Sequence, residues 1–384
     1  MRSALLRVGY EQLVRPALFR SYGGDPEKVH EAMIALLGRL GDSPVAGLVG
    51  SLVGRPTDPV TVAGVRFPGR VGLAAGVDKD GVAARIWAQL GFGFAELGTV
   101  TALPQPGNPT PRVFRLTDSQ ALINRMGFNN HGAAALAARL ETWGVWRGAD
   151  TLGIPLGISI GKSKVVAPDQ AVADYLAALD AVLPYADYVA VNVSSPNTEG
   201  LRSWQAKDRI SELVKALVKV ANQEVDPLPI FVKIAPDLTD QQIDDLLDAV
   251  VASGAAGVIA TNTTLSRDGI QGADVRHADQ AGGLSGAPLT RRARQVVAQA
   301  MTAGLPVIAS GGIMTVADAQ AMFDLGASLV QLYTGFIYSG PGLVAGINSR
   351  RCPPTAECQV VSGYGLRHAG GSVQDPTLGE SGKA

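Results

Sequence analysis

The chain has 384 residues, 46% of them hydrophobic and 17% charged, which excludes a small module and a disordered chain and allows a large core. Its 33 basic and 34 acidic side chains leave a formal net charge of -1, and with no basic patch or recognition motif, nucleic acid is not an expected partner. Cys352 and Cys358 are the only cysteines; they offer no disulfide framework and lack the flanking partners of a zinc site, so a reducing compartment is the simplest expectation.

Residues 1–53 read as amphipathic helices. The apolar stretches are short and broken by Arg7, Glu11 and Arg15, which does not suit a signal peptide, and nothing approaches the roughly 20 apolar residues of a membrane span. Asp25-Pro26 makes a helix start, with Asp as N-cap and Pro at the first helical position. Val29, Ala32, Met33, Leu36, Leu37 and Leu40 then recur on one helical face. A further apolar run, Val45 to Val53, is interrupted by glycines. Two readings stand open: helices packed on the main domain, or a surface dipping into the headgroup region of a bilayer.

From about residue 65 short apolar runs alternate with helical patterns. The expected strands are Val71–Ala75, Gly93–Leu97, Pro155–Ile160, Tyr188–Val193, Ile230–Ile234, Gly257–Thr261, Pro306–Ser310 and Ser328–Tyr333. Between them lie helices with readable ends. Thr239 and Gln242 make a capping box with Gly254 as stop, and Thr315 and Asp318 make another with Gly326 as stop. Eight buried strands alternating with helices predict an α/β fold of the (β/α)8 barrel type; a doubly wound open sheet is weakened by the missing GxGxxG after the first strand. Pro104 to Phe128 reads as an insertion on the C-terminal face of the barrel, where long loops are usually functional. After about residue 347 periodicity is lost and a poorly ordered tail is expected. The expected organisation is therefore residues 1–53, 54–346 and 347–384.

The site of such a barrel lies at the C-terminal strand ends, and the residues there form one chemical pattern. The first strand leads into Ala75-Gly76-Val77-Asp78-Lys79 and the second into Thr99; the third contains Ser159. The fourth leads through Asn192 to Ser194-Ser195-Pro196-Asn197, the fifth carries Lys233, and the sixth ends in Thr261-Asn262-Thr263. Gly311-Gly312 follow the seventh, and Tyr333-Thr334 follow the eighth. The insertion adds Asn124, Arg125, Met126, Gly127 and Phe128. Gly286 and Gly312 can offer backbone N–H groups to a phosphate. Lys233 can offset an anion on a cofactor ring, and the asparagines Asn124, Asn192, Asn197 and Asn262 suit a planar heterocycle with carbonyls and N–H groups. No zinc motif and no Ser–His–Asp arrangement competes.

Several long stretches resemble a known family. They include Ala75-Gly76-Val77-Asp78-Lys79-Asp80-Gly81, Gly107-Asn108-Pro109-Thr110-Pro111-Arg112-Val113-Phe114-Arg115 and Asn124-Arg125-Met126-Gly127-Phe128-Asn129-Asn130. Asn192-Val193-Ser194-Ser195-Pro196-Asn197-Thr198, Lys233-Ile234-Ala235-Pro236-Asp237-Leu238 and Thr261-Asn262-Thr263-Thr264 continue the series, and Gly282 to Gly286 and Gly326 to Tyr333 complete it. From about residue 10 to 346 the chain resembles class 2, quinone-dependent dihydroorotate dehydrogenases.

The resemblance implies oxidation of dihydroorotate to orotate with FMN as hydride acceptor and a membrane quinone as final acceptor. Ala75, Gly76, Val77, Asp78, Lys79, Thr99, Ser159, Asn192, Lys233, Thr261, Gly286, Gly312, Tyr333 and Thr334 would line the FMN. Lys79, Asn124, Arg125, Met126, Gly127, Phe128, Asn192, Asn197, Asn262 and Thr263 would hold dihydroorotate, and Ser195 matches the catalytic base. No metal is expected. The related soluble class has a cysteine in the position of Ser195, and this chain has none before Cys352. The N-terminal helices would form the quinone tunnel, with Arg115, His30 and Tyr333 as candidate head contacts, on the cytoplasmic face of the cell membrane and in a monomeric protein. At Ser159 some relatives carry asparagine, and the tail does not match the family's usual ending. Two alternatives stay open: a soluble-class enzyme passing electrons to fumarate or NAD, and a non-catalytic barrel that binds a phosphate ligand.

Overall fold

The computed structural model describes residues 2–197 and 201–350; most of the expected tail, residues 351–384 with both cysteines, lies outside the described residues. Eight parallel strands close into a barrel: β3 (Val71–Leu73), β4 (Phe94–Thr101), β7 (Leu156–Gly161), β8 (Tyr188–Asn192), β9 (Ile230–Ile234), β10 (Gly257–Ala260), β12 (Val307–Ser310) and β13 (Leu329–Leu332), in that order round the ring. Each falls on one of the eight apolar runs, so the open sheet is ruled out. A hairpin, β1 (Val60–Val62) and β2 (Val65–Phe67), precedes the barrel. The insertion forms β5 (Val113–Leu116) and β6 (Ala121–Asn124), which pair antiparallel and take β11 (Gly283–Gly286) as a third strand.

Side chains fill the barrel interior. Phe67, Phe94, Tyr188 and Phe231 pack together with Ile259, Ile308 and Leu329, mostly edge to face. Glycines on neighbouring strands make room for these rings: a Cβ at Gly157 would collide with Tyr188, and one at Gly257 with Phe231. Large and small residues thus interlock across the barrel interior.

Helices α5 (Ala133–Thr142), α6 (Ala171–Val182), α7 (Lys207–Ala221), α8 (Asp240–Ala252), α9 (Thr290–Ala300), α10 (Val316–Asp324) and α11 (Thr334–Asn348) surround the strands. Both expected capping boxes form, at Thr239–Gln242 and Thr315–Asp318, and Gly254 and Gly326 follow those helices at positive φ. The last helix continues to Asn348.

The N-terminal helices belong to the same compact unit as the barrel. They are α1 (Arg2–Gly9), a π-helical turn at Tyr10–Val14, α2 (Arg15–Arg20), α3 (Pro26–Gly41) and α4 (Ala46–Val53). Asp25 caps α3 by accepting from the N–H groups of Glu27 and Lys28. The buried face of α3 differs from the expected one. Val29 and Gly38 are buried and Ile34, Leu37 and Leu40 pack on the core, but Leu36 is 53% exposed and Glu27 is buried. Glu27 is held there by Arg112 of the insertion, 85 residues away, a partner that helical periodicity does not reveal.

The docking of the first segment follows from one proline. Pro341 lies inside α11 and has no N–H for the carbonyl of Ile337, one turn earlier. The hydroxyl of Tyr10 donates to that carbonyl instead, at 2.8 Å, and Arg15 donates to the carbonyl of Tyr338 at 2.9 Å. Gly340 and Gly342 let Tyr10 and the backbone of Arg7 approach closely, since a Cβ at either would collide with them. The freed carbonyls of α11 thereby become the landing site of the N-terminal segment. Burial pushes the Tyr10 hydroxyl up to about 12, so it stays protonated, and a donor, well above neutral pH.

Candidate active site

A cleft of about 1120 Å³, counting its open mouth, lies over the C-terminal ends of the barrel strands. The structure brings most of the expected residues to its wall. Ala75, Gly76 and Lys79 arrive from the loop after β3, Thr99 from β4, Asn192 from β8, and Ser195 and Asn197 from the loop beyond it. Lys233 comes from β9, and Thr261, Asn262 and Thr263 follow β10. Gly286, Gly312, Tyr333 and Thr334 line one end, while Asn124, Met126, Gly127 and Phe128 of the insertion line another part.

Four expected residues turn away from the cleft. Val77 is buried in the main core. The Asp78 carboxylate points inward and accepts from the Ala83 N–H at 2.9 Å and from the Trp87 indole at 3.1 Å; burial pushes it up to about 6, and it secures the loop rather than a ligand. Ser159 is fully buried behind Thr99, their hydroxyls 2.9 Å apart. The Arg125 guanidinium stacks over Phe114 and donates to Gln280 and to the carbonyl of Pro111.

The asparagine cluster is pre-oriented. Asn192 donates to Thr99 at 2.9 Å, and its side-chain oxygen accepts from Ser194. Asn262 donates to the Ser194 hydroxyl at 3.0 Å, and Asn197 donates to the Asn124 side chain at 3.2 Å. Amides tied at one end keep their remaining polar atoms fixed for a ligand. The Ser195 hydroxyl accepts from the Asn197 N–H at 3.2 Å. Thr263 keeps a buried hydroxyl with no hydrogen-bond partner among the described residues.

Two lysines set the electrostatics. Lys233 is buried, its ammonium 3.8 Å from the carboxylate of fully buried Glu96. Tyr188 at 3.0 Å and Gln331 at 2.6 Å also donate to Glu96. Neither Glu96 nor Gln331 was expected, although a glutamate inside an apolar strand was a signal open to reading. The Lys79 ammonium makes no hydrogen bond or ion pair among the described residues. Burial pushes it down to about 8, with Asp80 and Glu27 partly offsetting that shift. His30 lies beside Lys79 and the Val77 carbonyl; burial first, then the Lys79 charge, holds its imidazole down at about 3. Tyr333 is pushed up to about 12 by burial. Arg115 sits 3.9 Å above the Phe19 ring and donates to the Phe19 carbonyl at 3.3 Å.

The phosphate-like end is built from backbone. Gly286, Gly311 and Gly312 have φ of 96°, 100° and 70°, a region that favours glycine. A Cβ at Gly286 or Gly312 would run into the backbone of Gln120 or Thr290. Thr334 opens the fifteen-residue α11 there and shares a 2.8 Å contact with Ser285. Glycine backbone and a helix N-terminus suit a phosphate, and the lysine–amide wall suits a planar ring, so the residues present fit a flavin mononucleotide. Among the described residues no cluster of His, Cys, Asp and Glu could hold a metal ion.

Barrel and cleft define a class: an α/β barrel whose cleft, with a serine on its wall, suits a phosphate-bearing planar ligand. Residues 59–350 match the dihydroorotate dehydrogenase family model, and the chain belongs to that family. It is 54% identical over 338 residues to the dihydroorotate dehydrogenase (quinone) of Salinispora arenicola, covering 87% of this chain and 96% of the relative. It is 49% identical to the dihydroorotate dehydrogenase (quinone) of Mycobacterium marinum, covering 82% and 86%. A crystal structure of DHODH from Eimeria tenella in complex with ferulenol superposes with a TM-score of 0.76 at 34% identity, covering 87% of this chain and 93% of that one.

Proposed function

We propose that this protein is a quinone-reducing dihydroorotate dehydrogenase that oxidises dihydroorotate to orotate in pyrimidine biosynthesis. The observation that carries the reading is the convergence of Ser195, Lys79 and Lys233 on one cleft whose glycine-lined end suits a phosphate. Flavin mononucleotide, when bound, supplies a hydride acceptor. Gly286, Gly312 and Thr334 would hold its phosphate, and Thr99, Asn192, Lys233 and Thr261 its ring.

The protein's own residues do the rest. Asn124, Asn197, Asn262 and Thr263 orient dihydroorotate so that C6 faces the acceptor, and Lys79 meets its carboxylate. Ser195 takes the proton from C5 while its own hydroxyl proton passes to water or a polar relay. Lys233 offsets negative charge that develops across the cleft, and its burial strengthens that effect. The N-terminal helices would guide an apolar quinone to the opposite side, past His30, Arg115 and Tyr333. Peripheral contact with the cytoplasmic face of the cell membrane fits their exposed Leu5, Leu13, Leu48 and Leu52, and we expect a monomer.

The test is the visible spectrum of the purified protein. A flavin band that bleaches on anaerobic addition of dihydroorotate and returns on addition of a ubiquinone or menaquinone analogue is expected. A band restored by fumarate and not by quinone would point to the soluble class, and a protein that stays colourless with added flavin mononucleotide would end the enzymatic reading.

A further inference from the structure

The stretch Gly107 to Arg112 does not line the cleft, yet two of its side chains, Asn108 and Arg112, are tied by several hydrogen bonds each. Arg112 grips the buried carboxylate of Glu27 on α3 with two nitrogens, at 2.7 and 2.8 Å. Its third nitrogen donates to the carbonyls of Pro106 at 2.7 Å and Asn108 at 2.8 Å. That fork fixes the turn bearing Asn108.

The Asn108 amide then uses every polar atom. Its nitrogen donates to the Asn197 carbonyl at 3.1 Å and the Arg125 carbonyl at 3.0 Å, and its oxygen accepts from Lys164 at 3.0 Å. Its backbone N–H donates to the Met126 carbonyl at 2.9 Å. Gly127, at φ 71°, leaves no room for a side chain, since a Cβ there would lie 2.7 Å from the Asn108 amide. Asn197 in turn touches both Ser195, through its backbone N–H, and Asn124, through its side chain.

We infer that Asn108 is a positioning residue for the Ser195–Asn197 loop, and that the Glu27–Arg112 pair anchors it from the N-terminal helices. The helix α3 that carries Glu27 thereby braces the dihydroorotate side of the cleft as well. Asn108 acts through Asn197 and Met126 and touches no reacting atom. The inference rests on the proposed function, because it takes the Asn197 end of the cleft as the substrate end.

The experiment is an equilibrium titration of the holoenzyme with orotate, read from the flavin absorption band without turnover. Asn108→Asp replaces the bridging donor by an acceptor that faces the carbonyls of Asn197 and Arg125 and keeps the Lys164 contact. Orotate affinity is expected to fall about tenfold, the scale of losing one or two net hydrogen bonds, while reoxidation of reduced enzyme by a quinone analogue slows less than twofold. Titrated at about pH 6.5, where Lys79 stays protonated with or without the Glu27 charge, Glu27→Gln is expected to weaken orotate in the same direction, and the double variant to bind no more than twofold weaker than Asn108→Asp, because both lie on one chain of contacts.

Unchanged orotate affinity in Asn108→Asp, full additivity in the double variant, or equal loss in both half-reactions would overturn the inference. If Asn108→Asp does not hold flavin, Asn108→Ala removes the bridging amide without adding charge and is read by the same outcomes. A wild-type protein that gives no orotate response fails the proposed function itself. Normal flavin reduction in Ser195→Ala sinks only the role of the serine and leaves this titration to decide on Asn108.

Discussion

Lys79 gives the sharpest quantitative test of the substrate end. Its ammonium lies on the cleft wall without an ion-pair partner among the described residues, and burial pushes it down to about 8. If it meets the carboxylate of orotate, only the protonated form binds well. Affinity is then full below about pH 8 and is lost as pH rises through that value. Simple linkage makes orotate about tenfold weaker at pH 9 than at pH 7, or about 1.4 kcal/mol. The neighbours do not share that window: His30 is held at about 3 and Tyr333 at about 12. The assay is the orotate dissociation constant from flavin absorbance at half-unit steps from pH 6.5 to 9, for the wild type and Lys79→Met. The variant should bind weakly at every pH and show a flat profile, so that any slope belonging to the ligand is seen separately. A flat wild-type profile, or the same slope in both proteins, would refute the placement of Lys79 on the carboxylate.

Two further outcomes follow from the cleft and the N-terminal surface. Ser195→Ala should bind orotate normally and lose roughly 10² to 10⁴ in the rate of flavin reduction by dihydroorotate in stopped flow; near wild-type reduction removes Ser195 from the role of base. Leu48→Asp with Leu52→Asp should reduce flotation with anionic lipid vesicles and raise KM for a long-tailed quinone, with unchanged KM for dihydroorotate, because both side chains are more than half exposed on α4; vesicle binding equal to wild type would count against α4 as the contact surface.

The barrel was legible because each buried parallel strand is a short apolar run, and such runs recur here between helices with readable caps. The direction of side chains at the rim was not. Val77 and Asp78 follow the first strand as closely as Lys79 does, yet they turn into the core, and Asp78 finds its partner in Trp87, nine residues on. Ser159 occupies a strand position whose side chain is screened by Thr99. Arg125 sits among true wall residues, but a long side chain reached outward to Gln280 and the Phe114 ring. Proximity in sequence gives the loop; packing decides which face of it the ligand sees.

Long-range pairs were the second blind spot. Nothing near Glu27 or Arg112 in the chain marks them as partners, since 85 residues separate them. Glu96 was different: one acid inside the run Phe94–Thr101 is costly to bury unless something compensates it. Lys233, Tyr188 and Gln331 supply that compensation from three other strands, and only the closed ring brings them together.

The shape of the N-terminal segment decides how an apolar electron acceptor can be served. Helices α3 and α4 together are apolar enough to suggest a span, but they bend by 103° at their junction. At about 1.5 Å per residue, the arms run roughly 24 Å and 12 Å, and neither crosses a hydrocarbon core of about 30 Å. A bent pair with exposed Leu36, Val45, Leu48 and Leu52 therefore suits resting on a bilayer rather than crossing it. The pair is also not an independent raft: Glu27 binds it to the insertion, and Pro341 frees the carbonyl in α11 that seats the segment before it. A membrane contact made through these helices would stay in fixed register with the cleft, so a quinone leaving the lipid would meet the same edge of the site on every encounter.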